Sequence, residues 1–136
     1  MKSVLVLCTG NSCRSVLAEA LINQIGSGRY MAVSAGSKPA GYIHPKSIET
    51  LERHNINVGN PRSKSWDEYD GTNFDLVITV CDAAAAESCP EFLGKHEKLH
   101  WGTPDPATVS GTEEEINAAF DEAFNMLKAR IESELL

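Results

Sequence analysis

The sequence lacks any long hydrophobic run, any excess of positive charge and any internal repeat, and these absences exclude several classes of protein. No apolar run approaches the roughly 20 residues that a membrane-spanning helix needs. The 12 Lys and Arg residues are outnumbered by 19 Asp and Glu residues, which leaves a formal net charge of −7. That charge disfavours binding to nucleic acids or to anionic membranes, although a small local positive site is compatible with it.

The composition is that of an ordinary globular enzyme or binding protein. With 136 residues, 42% hydrophobic and 23% charged, the chain is expected to form one domain over residues 1–136, active as a monomer. Its first residues resemble a strand more than a secretion signal, so we expect a cytoplasmic protein. In that reducing compartment, cysteines favour catalysis, redox chemistry or metal binding over structural disulfides. The four cysteines are Cys8, Cys13, Cys81 and Cys89.

Apolar strand-like runs alternate with amphipathic helix-like segments along the whole chain. This alternation predicts an α/β fold with a four-stranded parallel sheet flanked by helices. Strands are predicted over residues 3–8, 30–36, 74–81 and 98–101, and helices over residues 14–25, 44–56 and 111–136, the last with Thr112 as its N-cap.

Polar residues follow three of the predicted strands. Cys8 ends the first strand, Cys81 ends the third, and the segment "GTPDPA" follows the fourth. Ligands of parallel α/β sheets bind beyond the carboxyl ends of the strands. The three segments are therefore expected to meet at one edge of the sheet.

The segment "CTGNSCRS" joins the first strand to the first helix. Backbone N–H groups of such a loop, together with the helix N-terminus, can bind an oxyanion, and Arg14 can grip two of its oxygens. The same positive field favours the thiolate of Cys8, to which Ser15 can donate a hydrogen bond. A buried cysteine at a strand end is the simpler alternative. The predicted oxyanion-binding residues are Thr9, Gly10, Asn11, Ser12, Cys13 and Arg14.

The stretch "VLVLCTGNSCRS" resembles the start of the low-molecular-weight tyrosine phosphatase superfamily. "SAG" after the second strand, "HP" at the second helix and "DP" after the fourth strand also stand where that superfamily has them. The resemblance implies its flavodoxin-like fold and nucleophilic chemistry at Cys8.

Cys81 and Cys89 flank an alanine-rich segment that favours a helix. Eight residues of continuous helix would separate their Cα atoms by about 12 Å, whereas a disulfide needs about 4.4–6.8 Å. A Cys81–Cys89 disulfide would therefore require this segment to unwind or loop out.

These two cysteines resemble those of the arsenate reductases within the superfamily. The resemblance implies that Cys8 attacks arsenate, Cys81 attacks the Cys8–arsenic adduct, and Cys89 then attacks Cys81. An external thiol reductant, either thioredoxin or glutathione with glutaredoxin, would complete the cycle without any bound cofactor. Phosphate and sulfate are the expected competing oxyanions. A protein tyrosine phosphatase and a non-catalytic oxyanion-binding module are the alternative functions.

Asp105 lies between two prolines that restrict where its carboxylate can point. In the superfamily the aspartate at this place is the general acid, although aspartate before proline is also common in turns. Ala107 stands where tyrosine phosphatases of this class usually carry an aromatic residue, and this favours a small inorganic substrate.

Asn11, Glu19 and Ser34 match positions that order the loop in relatives, where a potassium ion lies beside them in some reductases. Here Lys64 offers an ammonium group in place of that ion, so we expect neither an obligatory potassium ion nor a metal cofactor. The four histidines lack ligand spacing, and surface or helix-capping roles are expected for them.

Overall fold

The structure is a computed structural model that describes residues 1–69, 71–80 and 97–135. Its centre is a four-stranded parallel sheet in the order β2-β1-β3-β4. This confirms the predicted α/β architecture. Cys81 and Cys89, with the alanine segment between them, lie outside the described residues. The strands are β1 (Lys2–Leu7), β2 (Tyr30–Ala35), β3 (Leu76–Thr79) and β4 (Glu97–His100).

The described helices begin and end close to the predicted positions. They are α1 (Arg14–Ile25), α2 (Pro45–Arg53) and α3 (Glu113–Glu134), with short 3-10 helices at Trp66–Tyr69 and Pro106–Thr108. Thr112 is the N-cap of α3, as predicted, and it forms a reciprocal capping box with Glu115. His44 caps α2 by accepting a hydrogen bond from Lys46 N at its Nδ1 atom.

Two predicted elements are shorter in the structure. The second helix ends at Arg53 instead of residue 56, because Asn55 adopts a positive φ of 58° that terminates the helical conformation. The third strand is restricted to Leu76–Thr79, the residues that pair with β1. Val80 continues the pairing by a hydrogen bond from its N–H to Leu7 O of 3.0 Å.

The core lies on both faces of the sheet, because alternate residues of a strand point to opposite sides. Val4 and Val6 pack with buried residues of α1 and α3, whereas Leu5 and Leu7 pack with Trp66 on the other face. In the described part of the chain, no helix is both long and apolar enough to cross a membrane.

Candidate active site at the carboxyl end of the sheet

The strand order reverses direction between β1 and β3, and the segment from Cys8 to Cys13 leaves the sheet at this point. Crevices at such reversal points are the usual ligand sites of open α/β sheets. Cys8 is buried, and its N–H donates to Ala35 O at 3.2 Å. The first turn of α1 carries no acidic residue that would neutralise the positive end of the helix. The loop thus lies in a field that favours anions.

The carbonyl groups of this loop are held from outside by neighbouring segments. Ser12 O accepts hydrogen bonds from His44 N (3.1 Å) and Ser47 Oγ (2.9 Å). Thr9 O accepts from Lys38 N at 3.0 Å, and Gly10 O from Ala40 N at 2.9 Å and Ser63 Oγ at 3.1 Å. A trans peptide unit directs its N–H opposite to its C=O. Carbonyls bound outward therefore turn the loop N–H groups inward, as an oxyanion cradle requires.

Asn11 joins the loop to three other parts of the chain. Its side-chain Nδ2 donates to Ser15 Oγ and to Ser34 Oγ, both at 2.9 Å, and its Oδ1 accepts from Lys64 N at 3.0 Å. The side chain is completely buried and the backbone φ is 47°, a conformation that asparagine tolerates better than most residues. Of the predicted loop-ordering residues, Ser34 and the backbone N–H of Lys64 contact this amide, whereas Glu19 contacts Ser34.

Half-buried Glu19 and buried Lys64 lie near Asn11 and interact electrostatically, while the Lys64 ammonium donates to Arg62 O at 3.2 Å. Ser34 Oγ donates to Glu19 Oε1 at 3.1 Å. Burial raises the pKa of the Glu19 carboxyl, and the Lys64 ammonium acts against that rise. Burial likewise lowers the pKa of Lys64, opposed by Glu19. Each charge therefore offsets part of the other's desolvation.

Gly36, the last residue of "SAG", packs against the cradle itself. A Cβ built at this position would lie 2.6 Å from Cys8 O and closer still to Thr9 O. Gly36 N also donates to Lys64 O at 2.9 Å. Only glycine permits this approach of two backbones. The family resemblance gives "SAG" only as a motif, and the steric role of its glycine is visible only in the structure.

Arg14 is the first residue of α1 and contacts the loop that carries Asp105. Its Nη1 donates to Thr103 O at 2.9 Å, and its Nη2 lies 3.6 Å from Asp105 Oδ2. Within the described residues, the buried Nε of Arg14 has no hydrogen-bond partner. A buried N–H without a partner is costly, and an oxyanion in the cradle would satisfy it.

Asp105 is held by its own loop. Its Oδ1 accepts a hydrogen bond from Ala107 N at 3.0 Å, which caps the 3-10 helix begun by Pro106. The side chain is about one-third exposed, 36% by relative area, so it reaches both solvent and Arg14. Ala107 is exposed and carries no ring that could stack on an aryl substrate.

Cys13 is buried, with its Sγ 3.6 Å from Ser12 Oγ. Burial raises the pKa of the Cys13 thiol, with smaller opposing contributions from Ser12 and Ser47. A thiol kept protonated is a poor nucleophile. This environment supports the interpretation of Cys13 as a packing residue.

The described residues contain no group of three or more His, Cys, Asp or Glu side chains placed to hold a metal ion. Sequence reasoning missed the groups that hold the cradle from outside, above all Ser47, Ser63 and the carbonyl of Thr103. Ser47 lies in α2 and Ser63 and Thr103 lie in loops, and none of them carries a sequence signal that separates it from an ordinary helix or turn residue.

The site combines a parallel α/β sheet, a cysteine-containing loop where the strand order changes direction, and an arginine at the start of the following helix. This combination is typical of phosphatases that use a cysteine nucleophile. The family comparison agrees with this class. The chain belongs to the low molecular weight phosphotyrosine protein phosphatase family, whose sequence model matches residues 3–135.

Similar proteins within this class are arsenate reductases. The arsenate reductase of Bacillus subtilis (strain 168) is 38% identical over 131 residues, 93% of each chain. A solved arsenate reductase in its phosphate-binding state superimposes with a TM-score of 0.78 and 25% identity, covering 98% of this chain and 95% of the other. A thioredoxin-dependent arsenate reductase of Corynebacterium glutamicum gives 0.65 and 28%, covering 98% of this chain and 63% of the other.

Proposed function

We propose that this protein is an arsenate reductase in which Cys8, Cys81 and Cys89 form a thiol–disulfide relay. The observation that carries the proposal is the part-buried Arg14 between Thr103 O and Asp105, whose buried Nε has no partner among the described residues and lies beside the loop from Cys8 to Cys13. The named activity of the similar proteins supports arsenate as the oxyanion.

The first step is a substitution at arsenic. The Cys8 thiolate forms a sulfur–arsenic bond, and an arsenate oxygen departs as water after accepting a proton from Asp105. To act as the general acid, Asp105 must carry that proton at the start of the step. Loop N–H groups and Arg14 stabilise the charge that develops on the remaining oxygens.

The reduction takes place in the second step. The Cys81 thiolate attacks the Cys8 sulfur, a disulfide forms, and the electron pair of the sulfur–arsenic bond passes to arsenic. Arsenic(V) becomes arsenic(III) and departs as arsenite. Cys89 then attacks Cys81, which frees Cys8 and leaves a Cys81–Cys89 disulfide.

An external dithiol must reduce that disulfide, and we propose thioredoxin for this role. The support is the thioredoxin dependence of the Corynebacterium glutamicum relative, with glutathione and glutaredoxin as the alternative donor. A single-domain monomer acting in the cytoplasm, where such donors keep thiols reduced, fits the proposal.

Phosphate-ester hydrolysis is the second candidate function, because phosphate and arsenate share shape and charge and the family is named for phosphatases. It would need Cys8, Arg14 and Asp105 but neither Cys81 nor Cys89. The absence of an aromatic side chain at Ala107 favours the inorganic substrate.

Three cysteine variants separate these functions. NADPH oxidation coupled through thioredoxin measures arsenate turnover. Hydrolysis of p-nitrophenyl phosphate measures formation of a Cys8 phosphoenzyme and its hydrolysis by water, without the relay. Cys8→Ser is expected to abolish both activities. Cys81→Ser should release no arsenite, and Cys89→Ser should release about one arsenite per enzyme without turning over.

Phosphate-ester hydrolysis serves as the internal control, since Cys81→Ser and Cys89→Ser are expected to retain it. Multiple turnovers of arsenate in either variant would rule out the relay. Wild-type protein that hydrolyses the ester but does not reduce arsenate would establish the phosphatase instead.

A further inference from the structure

Thr103 connects three parts of the site. Its N–H donates to Val80 O at 3.1 Å, its Oγ1 donates to Trp101 O at 2.9 Å, and its carbonyl accepts from Arg14 Nη1 at 2.9 Å. The residue is only 7% exposed. All three polar groups of Thr103 are thus used, and each bond ends on a different segment.

These bonds extend the sheet beyond its last regular pair. Trp101 N donates to Thr79 O at 2.8 Å, Val80 N donates to Leu7 O at 3.0 Å, and Thr103 N then donates to Val80 O. A row of hydrogen bonds therefore leads from the strand that precedes Cys8 to the carbonyl that receives Arg14. The sheet therefore anchors the backbone N–H of Thr103, while the direction of its carbonyl depends on the turn over Gly102.

The hydroxyl of Thr103 sets the turn that brings this carbonyl into place. It closes a local turn over Gly102 by donating a hydrogen bond to Trp101 O. Serine and threonine side chains commonly form such hydrogen bonds to nearby backbone groups. Trp101 is 1% exposed, so no solvent route replaces that bond if the hydroxyl is lost. The turn would then relax and carry the carbonyl away from Arg14.

We propose that Thr103 is the positioning residue for Arg14: it orients the guanidinium toward the oxyanion and keeps the Asp105 loop beside it. The inference deepens the proposed function and rests on it for the identity of the oxyanion. Thr103 itself touches no reacting atom.

The test uses the full-length protein with Thr103→Val, which keeps the shape and removes the hydroxyl, and Thr103→Ser, which keeps the hydroxyl. Thr50→Val is the matched control, because the buried Thr50 hydroxyl also donates to a backbone carbonyl, Lys46 O at 2.6 Å, but on α2. Isothermal titration calorimetry with inorganic phosphate measures the affinity for an oxyanion, and steady-state kinetics measures arsenate reduction.

Thr103→Val is expected to weaken phosphate binding about tenfold and to lower kcat/KM for arsenate by about 10- to 100-fold. Thr103→Ser and Thr50→Val should stay within about twofold of wild type for both, after thermal unfolding has confirmed folding at the assay temperature. In an Arg14→Lys background, Thr103→Val should add less than about twofold, because its effect passes through the guanidinium.

Wild-type phosphate affinity in folded Thr103→Val would overturn the inference, as would an equal loss in Thr50→Val. If Thr103→Val does not fold, Thr103→Ser decides: phosphate binding weaker than wild type by more than about fivefold contradicts a role for the hydroxyl. Phosphate binding is independent of reductase activity. A wild-type protein inactive on arsenate would therefore refute the proposed function while leaving this test intact.

Discussion

Gly36→Ala tests whether the cradle depends on the close approach of two backbones. The new Cβ would lie 2.6 Å from Cys8 O and 3.0 Å from Thr9 C, with Thr9 O nearer still. Ordinary contact begins near 3.4 Å, so Cys8 O must retreat by about 0.8 Å. The obstructing atoms are backbone, and no rotamer change can relieve the clash.

That displacement is expected to lower both the free energy of unfolding and the catalytic efficiency, by different amounts. Overpacking of this kind costs about 1–3 kcal/mol of unfolding free energy, which for a chain of this length lowers Tm by about 3–10 °C. Movement of the cradle by nearly 1 Å is expected to lower kcat/KM by about 100-fold. Thermal unfolding and steady-state hydrolysis of p-nitrophenyl phosphate measure the two effects separately.

Gly59→Ala is the control for stability alone. Gly59 has a positive φ of 67°, and a Cβ there meets nothing within 4 Å. Left-handed strain costs about 1–2 kcal/mol, so Tm should fall to a similar extent with activity unchanged. A Gly36→Ala protein with wild-type kcat/KM well below its Tm would refute the steric argument.

Two further substitutions test the charges around the cradle. Lys64→Met removes the cation that opposes the raised pKa of half-buried Glu19, and it should cost about 1–3 kcal/mol of unfolding free energy at pH 8 but less at pH 5. A raised folded-state pKa of Glu19 makes the free energy of unfolding fall as pH rises. An equal loss at pH 5 and pH 8 in urea denaturation would therefore contradict the interaction between Lys64 and Glu19. Because the Lys64 ammonium is expected to take the place of a potassium ion, wild-type turnover should be equal in potassium and sodium salts. Asp105→Asn removes the proton donor and should lower kcat for arsenate by about 10²–10⁴-fold while changing KM little. An unchanged kcat would exclude the general-acid role.

The elements that sequence reasoning predicted well are those whose signal is local. Helix α1 spans Arg14–Ile25 as expected, because its apolar periodicity and the glycines that follow are adjacent in the chain. The residue type of Thr112 and the glutamates that follow it predict its role as N-cap, which the structure confirms. The second helix was overestimated because its end depends on the backbone conformation of Asn55, which the pattern of side chains does not encode.

In the candidate site, too, the sequence identifies some residues and misses others. The types and spacing of Cys8 and Arg14 identify them, the family resemblance identifies Asp105 as the general acid, and the structure places Arg14 beside Asp105. Serine, threonine and backbone groups that hold them were not named. The carbonyl of Thr103 lies 89 residues from Arg14 in the chain, and a carbonyl carries no sequence signal.

The sequence by itself determined the order of strands and helices, the anion loop between β1 and α1, and the chemistry available to its side chains, because these follow from composition and short-range periodicity. Tertiary structure alone decided that Asn11 joins Ser15, Ser34 and Lys64, and that Gly36 must lack a Cβ. Those facts depend on how closely distant backbones approach one another. That distance is a property of packing, to which the whole chain contributes.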